Sequence, residues 1–223
     1  MALALFDLDD PLLDGDSASL WFEYMVAHKL APANTLAKEE AMMAQYYRGE
    51  LAMEAYMDFT LQPLRGKPVT QIQQHCHRFA DEVAAPRLFA EGLAQLAWHR
   101  DQGDEIVLIS ASGEHIVQPI AARLQIPSSH VLAIELEQQQ GCYTGRTQGV
   151  LSFRDGKVTR LRQWQQQHPD AADAHYGYSD SINDMPLLQH VARPHAVNPA
   201  ARLLLEARRR QWPVLRWKTR HTA

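Results

Sequence analysis

A short apolar run, Leu3-Ala4-Leu5-Phe6, ends abruptly at Asp7 and is followed at once by Leu8, Asp9 and Asp10. A stretch so short and so uniformly apolar reads as a strand covered on both faces, as in a parallel sheet with helices packed on either side. The next comparable run comes only at Glu105–Ile109. From Ser17 to about Ala84 the period changes instead. Apolar residues recur at three- and four-residue spacing (Leu20, Tyr24, Met25; Met42, Met43, Tyr46, Tyr47; Met53, Tyr56, Met57), and β-branched residues are scarce. This spacing predicts three or four helices, broken near Pro32, Gly49, Pro63 and Pro68, with the Met and aromatic stripes as their interior. A chain that opens a sheet and leaves it for a helical bundle must carry that bundle as an insertion.

After Pro86 the pattern alternates as in an α/β domain. A helix to about Gln102 precedes the strand Glu105–Ile109, and another helix follows Gly113. His130–Glu137 and Cys142–Arg146 read as paired strands around a Gln138–Gln140 loop. Lys157–Gln167 is helical, Ala174–Tyr178 a strand, Ile182–His190 a short helix, and Ala196–Val197 a strand. A helix from Ala200 and an apolar piece at Val214–Leu215 close the chain. The expected fold class is α/β: a doubly wound, mainly parallel sheet with an inserted helical cap. Residues 1–15 and 86–223 form the core and residues 16–85 the cap, a division suited to 223 residues.

The formal net charge of −4 argues against a nucleic-acid binder, whose domain is usually basic. No apolar stretch reaches the length of a membrane span, so no stable membrane insertion is expected. Cys76 and Cys142 are too few and too far apart for a disulfide framework, and a reduced, cytoplasmic setting is expected. The sequence carries no signature of an oligomeric state. The basic stretch from Arg208 to Arg220, with Trp212 and Trp217, reads as an exposed last helix and a frayed tail. Contact with anionic lipid headgroups is the alternative for it.

Chemistry concentrates where strands end. Asp7 and Asp9 sit two apart in extended backbone and so point to one side; two converging carboxylates repel unless a cation or a proton intervenes. A second acidic group, Ser179-Asp180-Ser181-Ile182-Asn183-Asp184, follows the strand Ala174–Tyr178. Ligands of open α/β sheets bind beyond the carboxyl ends of the strands, and oxygen-only donors there suit Mg²⁺, which retains waters and takes substrate phosphate. At the third strand end, Ser110-Ala111-Ser112-Gly113 reads as a turn offering backbone N–H groups and a helix N-terminus to an anion. Lys157 opens a further helix and adds a fixed positive charge. Nucleophile, second carboxylate, cation site and phosphate cradle make a complete phosphoryl-transfer set.

These four segments, in this order, resemble the haloacid dehalogenase superfamily over the whole chain, and most closely the branch that includes phosphoserine phosphatase. Its first motif, Asp-x-Asp-x-Thr, appears as Asp7-Leu8-Asp9-Asp10-Pro11; its Ser or Thr as Ser110; its Lys as Lys157; its Gly-Asp-x-x-Asn-Asp as Ser179-Asp180-Ser181-Ile182-Asn183-Asp184. The resemblance implies an Mg²⁺-dependent phosphatase that forms an aspartyl-phosphate. Asp7 is the implied nucleophile and Asp9 the implied acid and base. Asp7, the backbone carbonyl of Asp9, and Asp180 are the implied metal donors, with Asp184 in support. Ser110, Lys157 and Asn183 hold the phosphoryl oxygens, and Asp16 reads a substrate amino group from the cap side. A small phosphorylated metabolite is expected, with phosphoserine or histidinol phosphate first. Two positions depart from the pattern. Ser179 replaces Gly, a small change. Pro11 replaces a Thr whose hydroxyl helps orient the acid/base Asp, which leaves Asp9 less well held.

Other readings fare unevenly. Counting from Asp7, Leu12 and Ala18 stand where a calcium loop needs Gly and Glu. Neither Ser110 nor Ser112 has the first glycine of a nucleophile elbow, and Gly156-Lys157-Val158 lacks the rest of a nucleotide-binding P-loop. In His75-Cys76-His77, helical neighbours point apart and no second pair lies near, against zinc. A catalytically weak binder of a phosphorylated ligand or partner, and a lipid-phosphate phosphatase or phosphotransferase, stay open at this point.

Overall fold

A computed structural model of the protein describes residues 2–220. The strand β1, Leu3–Phe6, is fully buried, and its side chains alternate between two apolar clusters. Leu3 and Leu5 join Val107, Ile109, Leu161 and Trp164 on one face. Ala4 and Phe6 join Leu96, Ile116 and Ile120 on the other. Helix-covered faces on both sides explain why the strand is apolar throughout rather than at every second residue.

Four helices follow β1: α1 (Ser17–Ala27), α2 (Leu36–Arg48), α3 (Met53–Leu61) and α4 (Val69–Phe79). Their breaks fall at the prolines and glycine named above. Gly49 ends α2 in the left-handed conformation, φ 75°, which a residue without Cβ adopts without strain. After α5 (Ala90–Asp101) come β2 (Glu105–Gly113), α6 (Glu114–Arg123), β3 (Val131–Gln139) and β4 (Cys142–Gln148). Then follow α7 (Asp155–Gln167), β5 (Ala174–Ser179), α8 (Met185–His190), β6 (Arg193–Val197), α9 (Ala201–Arg209) and β7 (Val214–Leu215).

The sheet order is β4-β3-β2-β1-β5-β6-β7, parallel except for the β3–β4 hairpin. The chain leaves β1 first toward β2 and later returns toward β5, so the order reverses beside β1. Phe6 registers with Leu108 on one side and Tyr178 on the other. The residues just beyond, Asp7, Ile109 and Ser179, therefore emerge at one level of the switch point, where open α/β sheets bind ligands.

The structure amends the sequence reading in four places. Ser110–Ser112 is not a turn but the last part of β2, in a stretch where the register with β3 shifts between Ile109 and Gly113. Lys157 is not the first residue of its helix: α7 begins at Asp155. The stretch after α9 is not frayed as far as Arg220. Trp217 is buried on Gly92 and Tyr178, the Ala90 amide donates to the Thr219 carbonyl, and Phe89 bridges to Arg220. The inserted helices also have no core of their own. Trp21, Phe22, Met25, Met57, Ile72 and Phe79 belong to the same apolar cluster as Phe6, Ile116 and Ile120. Among the described residues no helix is long and apolar enough to cross a membrane.

Candidate active site

Beyond β1, β2 and β5 the polar side chains are buried and answer one another. Lys157 Nζ donates to Asp184 Oδ2 at 2.7 Å and lies 3.2 Å from Asp7 Oδ1. Burial works against the ammonium, but the charges of Asp184 and Asp7 outweigh it and raise the Lys157 pKa. Asp7 Oδ1 also accepts from the Leu8 amide at 2.9 Å. Burial pushes the Asp7 carboxyl well above its usual range; Lys157 opposes this, while Asp184 and Asp180 add to it. Asp180 is raised likewise by burial and by the charges of Asp10 and Asp184. So many buried carboxylates around one lysine call for further positive charge.

Asp9 is held from two sides. Its Oδ1 accepts from the Ser17 amide at 2.7 Å and its Oδ2 from the Ser112 hydroxyl at 3.1 Å; the Ser17 hydroxyl donates to Ser112 Oγ at 2.9 Å. The carboxyl that Pro11 was expected to leave poorly oriented is thus fixed by other donors. Burial and the charge of Asp16 lift it to about 7. A carboxyl there keeps a share of its protons at neutral pH, as a proton donor to a leaving oxygen must. Pro11 lies in a tight turn in which the Leu12 and Leu13 amides both donate to the Leu8 carbonyl.

Of the remaining candidates, Asp16 lines the cleft with Asp7 and Asp9, whereas Asn183 lines a separate recess with Gly49, Arg154 and Arg202. Ser110 is fully buried at the end of β2, its Oγ accepting from the Ser112 amide at 3.1 Å. Asn183 is buried after β5, with Nδ2 donating to the Tyr46 carbonyl at 3.4 Å. Asp16 caps α1 by accepting from the Ser19 amide at 2.8 Å. Its carboxyl, raised by burial, shares the cleft with Asp7, Asp9, Asp10, Asp180, Tyr46 and Ala111. Only about 10 Å³ of that cleft is open to the centre of a water-sized particle, room for roughly one water or ion. Ser179, at the position of the expected glycine, has its own part. Its hydroxyl donates to Asp184 Oδ2 at 2.7 Å and accepts from the Ser181 amide.

Four contributors escaped the sequence reading. Tyr46 reaches the cleft from α2, its phenol raised well above its usual range by burial and by the charges of Asp184, Asp180 and Asp7. Ser17 and Ser112 hold Asp9, and Arg154 donates from Nε to Asn183 Oδ1 at 3.2 Å. Only Ser112 had a local signal, a hydroxyl two residues beyond Ser110 at a strand end. Tyr46 looked like one more residue of an apolar stripe.

The donor set fits a hard cation of the magnesium kind. Asp7 and Asp180 lie within electrostatic reach at the cleft, and Mg²⁺ needs only one or two protein carboxylates beside waters and phosphate oxygens. Asp184 stands one step back, its Oδ2 taken by Lys157 and Ser179. Among the described residues no three His, Cys, Asp or Glu side chains gather to hold a metal ion.

A switch-point cleft with paired carboxylates and a buried lysine, beside helices inserted after β1, is the site of a hydrolase built on a doubly wound α/β sheet. The chain belongs to the haloacid dehalogenase-like hydrolase family, whose model matches residues 4–189. It is 35% identical over 221 residues to a protein from Neisseria meningitidis serogroup C (strain 8013) named histidinol-phosphatase, covering 97% of this chain and 99% of that one. It is 29% identical over 221 residues to phosphoserine phosphatase SerB1 of Mycobacterium tuberculosis (strain ATCC 25618 / H37Rv), covering 96% of this chain and 70% of that one. A crystal structure of a protein of unknown function from Bordetella pertussis Tohama I superposes with a TM-score of 0.88 at 35% identity, covering 96% and 97% of the two chains. A substrate-bound phosphoserine phosphatase superposes at 0.71 with 14% identity, covering 96% and 92%, and so shares the fold.

Proposed function

We propose that the protein is an Mg²⁺-dependent phosphomonoester hydrolase in which Asp7 forms an aspartyl-phosphate, and that its substrate is a small amino-alcohol phosphate. One observation carries the chemistry: Asp7 at the end of β1, 3.2 Å from a fully buried lysine that also binds Asp184 at 2.7 Å. Asp7 attacks phosphorus while Asp9 gives its proton to the departing alcohol oxygen; Asp9 then takes a proton from the water that cleaves the acyl phosphate. Lys157, Ser110 and Asn183 hold the phosphoryl oxygens as charge moves. Asp7, Asp180 and the Asp9 carbonyl are the donors for the cation, which when bound offsets repulsion between carboxylate and phosphate. Residues 16–85 act as a cap that opens for substrate, a reading supported by the narrowness of the cleft.

The cleft wall supports the substrate class. Asp9, Asp10 and Asp16 line it and, among the described residues, no arginine does. An ammonium or imidazolium is welcome there, whereas the carboxylate of phosphoserine meets other acids. Histidinol phosphate, which has basic groups and no carboxylate, is therefore favoured, in keeping with the name of the Neisseria relative. The reading is tested by comparing kcat/KM on histidinol phosphate and phosphoserine, with Mg²⁺ and with excess chelator. Chelation should stop turnover and Mg²⁺ restore it, with Ca²⁺ doing so poorly because it prefers more ligands at longer range. Asp7→Asn should lower kcat at least about 10³-fold in a folded protein. Turnover persisting in chelator, or in Asp7→Asn above a trace, would sink the mechanism. Preference for phosphoserine would sink the substrate class alone.

A further inference from the structure

The loop before α7 is tightly folded. A Cβ on Gly156 would fall 1.9 Å from the Leu151 carbonyl oxygen, so only glycine fits there. Arg154 itself has φ 50° and ψ −124°, a backbone region that a residue with a side chain seldom occupies. In that conformation its guanidinium reaches in two directions. Nε donates to Asn183 Oδ1 at 3.2 Å, and Nη2 donates to the Gly49 carbonyl of the inserted helices. The ring of Phe153 lies 4.8 Å beneath the guanidinium carbon and also meets Tyr46.

The other half of this contact is the end of α2. The last carbonyls of a helix have no partner within it and carry the negative end of its dipole. Here the catalytic core reaches them: Gly49 by Arg154, Arg48 by Arg202 Nη1 at 2.6 Å, and Tyr46, whose carbonyl also accepts from the Gly49 amide at 2.8 Å, by Asn183 Nδ2 at 3.4 Å. Gly49 serves the contact twice. Its φ of 75° ends the helix, and a Cβ there would stand 2.8 Å from Arg202 Nη1.

We infer that Arg154 is a positioning residue that couples closure of the inserted helices to the grip of Asn183 on phosphate, with Arg202 as a second, weaker tie. For the role of Asn183 the inference rests on the phosphatase reading; for the tie it rests on the hydrogen bonds alone. An amide offers oxygen at one end and two donors at the other. Because Arg154 holds Oδ1, the donor end is turned to the Tyr46 carbonyl of the inserted helices, and a donor rather than an oxygen is what an anionic phosphoryl oxygen needs. Without Arg154 the amide is free to turn, and the Gly49 carbonyl at the end of α2 loses its guanidinium partner. Lysine is a poor replacement, since one ammonium lacks the planar fork that serves both acceptors.

The test joins two measurements on the full chain. Backbone hydrogen exchange is followed at the Gly49 and Glu50 amides in ligand-free wild type, Arg154→Ala, Arg154→Lys and Arg202→Ala. Steady-state kinetics on histidinol phosphate, with orthovanadate as a phosphate mimic, give KM, kcat and Ki. Arg154→Ala should speed exchange at both amides and raise KM and the vanadate Ki roughly tenfold, as expected for losing a charge-assisted hydrogen bond. The loss in kcat should be much smaller. Arg202→Ala should speed exchange less and raise Ki only about two- to threefold, since its bond goes to a carbonyl away from the phosphate. Arg154→Lys should recover part of the loss. A folded Arg154→Ala with wild-type exchange overturns the tie, and faster exchange with unchanged Ki overturns the coupling. If wild type neither binds vanadate nor hydrolyses phosphate esters, the phosphatase reading fails, while the exchange comparison still decides the tie. If Arg154→Ala does not fold, the exchange of Arg202→Ala and Arg154→Lys decides it: wild-type rates in both overturn it.

Discussion

The two walls of the cleft are built differently. On the core side, Asp7, Ser110, Asp180 and Asp184 stand on or just beyond three neighbouring parallel strands, and sheet register sets their spacing. Their contacts are short, buried and mutual: Lys157 to Asp184 at 2.7 Å, Ser179 to Asp184 at 2.7 Å, Ser112 to Asp9 at 3.1 Å. On the other side, the inserted helices supply Tyr46, the N-cap Asp16 and a helix end whose carbonyls are held by two arginines. On the core wall Asp7, Asp9 and Asp184 are each held by a buried donor. The helical wall rests on an apolar cluster and a few polar ties that can part. In the proposed function the bond-making groups stand on the first wall and the substrate-reading groups on the second, which would let one scaffold keep its chemistry while access and selection change.

That contrast is sharpest at Lys157. Lys157→Met leaves Asp7 and Asp184 buried without their cation, and breaking such a pair typically costs about 3–5 kcal/mol. Urea unfolding in chelator should show a loss of that order, and turnover should vanish. A loss below about 1 kcal/mol would mean that the carboxyls are held by protons rather than by the lysine.

Next in size is Ser112→Ala, which removes a donor to Asp9 from the core wall. A hydrogen bond to a charged group contributes about 1.5–3 kcal/mol, so kcat on an alkyl phosphate should fall roughly tenfold or more. An activated aryl phosphate needs little help in leaving and should lose far less. Equal losses on both esters would assign Ser112 to packing.

A change on the helical wall should act on selection instead. Asp16→Asn retains the cap of α1 but not the charge. The preference for an amine-bearing phosphate over an aryl phosphate should fall about fivefold, the size of a partly exposed ion pair of about 1 kcal/mol. Asp16→Ala adds a lost helix cap, about 0.5–2 kcal/mol of stability, and melting curves of the two variants separate the effects. If the Asn variant keeps its full preference, the helical wall does not read the amine through Asp16.

The smallest effect is expected at Pro11. The family pattern suggests that a threonine hydroxyl there would speed the reaction, but Asp9 already accepts from Ser17 and Ser112. Pro11→Thr should therefore change kcat by less than about twofold, under the worth of a typical net hydrogen bond. A several-fold gain would show that Asp9 is less well held than its two donors indicate.

Much of this architecture is legible in the amino-acid sequence. Strand and helix limits follow from period and punctuation, since a buried parallel strand must be apolar at every position and a surface helix on one side only. The acids at strand ends mark the cleft because parallel sheets collect their carboxyl ends on one edge. Local signals fail at Ser110–Ser112. Small polar residues suggest a turn, yet pairing with β3 carries the strand on through a register shift. They fail again after Arg209, where charge suggests a loose tail. Trp217 instead finds a buried seat on Gly92, supplied by a helix far back in the chain.

The sequence by itself determined the order of elements, the place of the inserted helices and the polar residue types gathered at the strand ends, all of which depend on neighbours within a turn or a strand. The tertiary structure decided which distant groups answer one another. Ser112 meets Asp9 across 103 residues, and Arg154 meets Gly49 across 105. No local period encodes such pairs. The first exists because parallel pairing brings the end of β1 beside that of β2, the second because the insertion packs against the core, and in both a buried polar atom is stable only beside a partner.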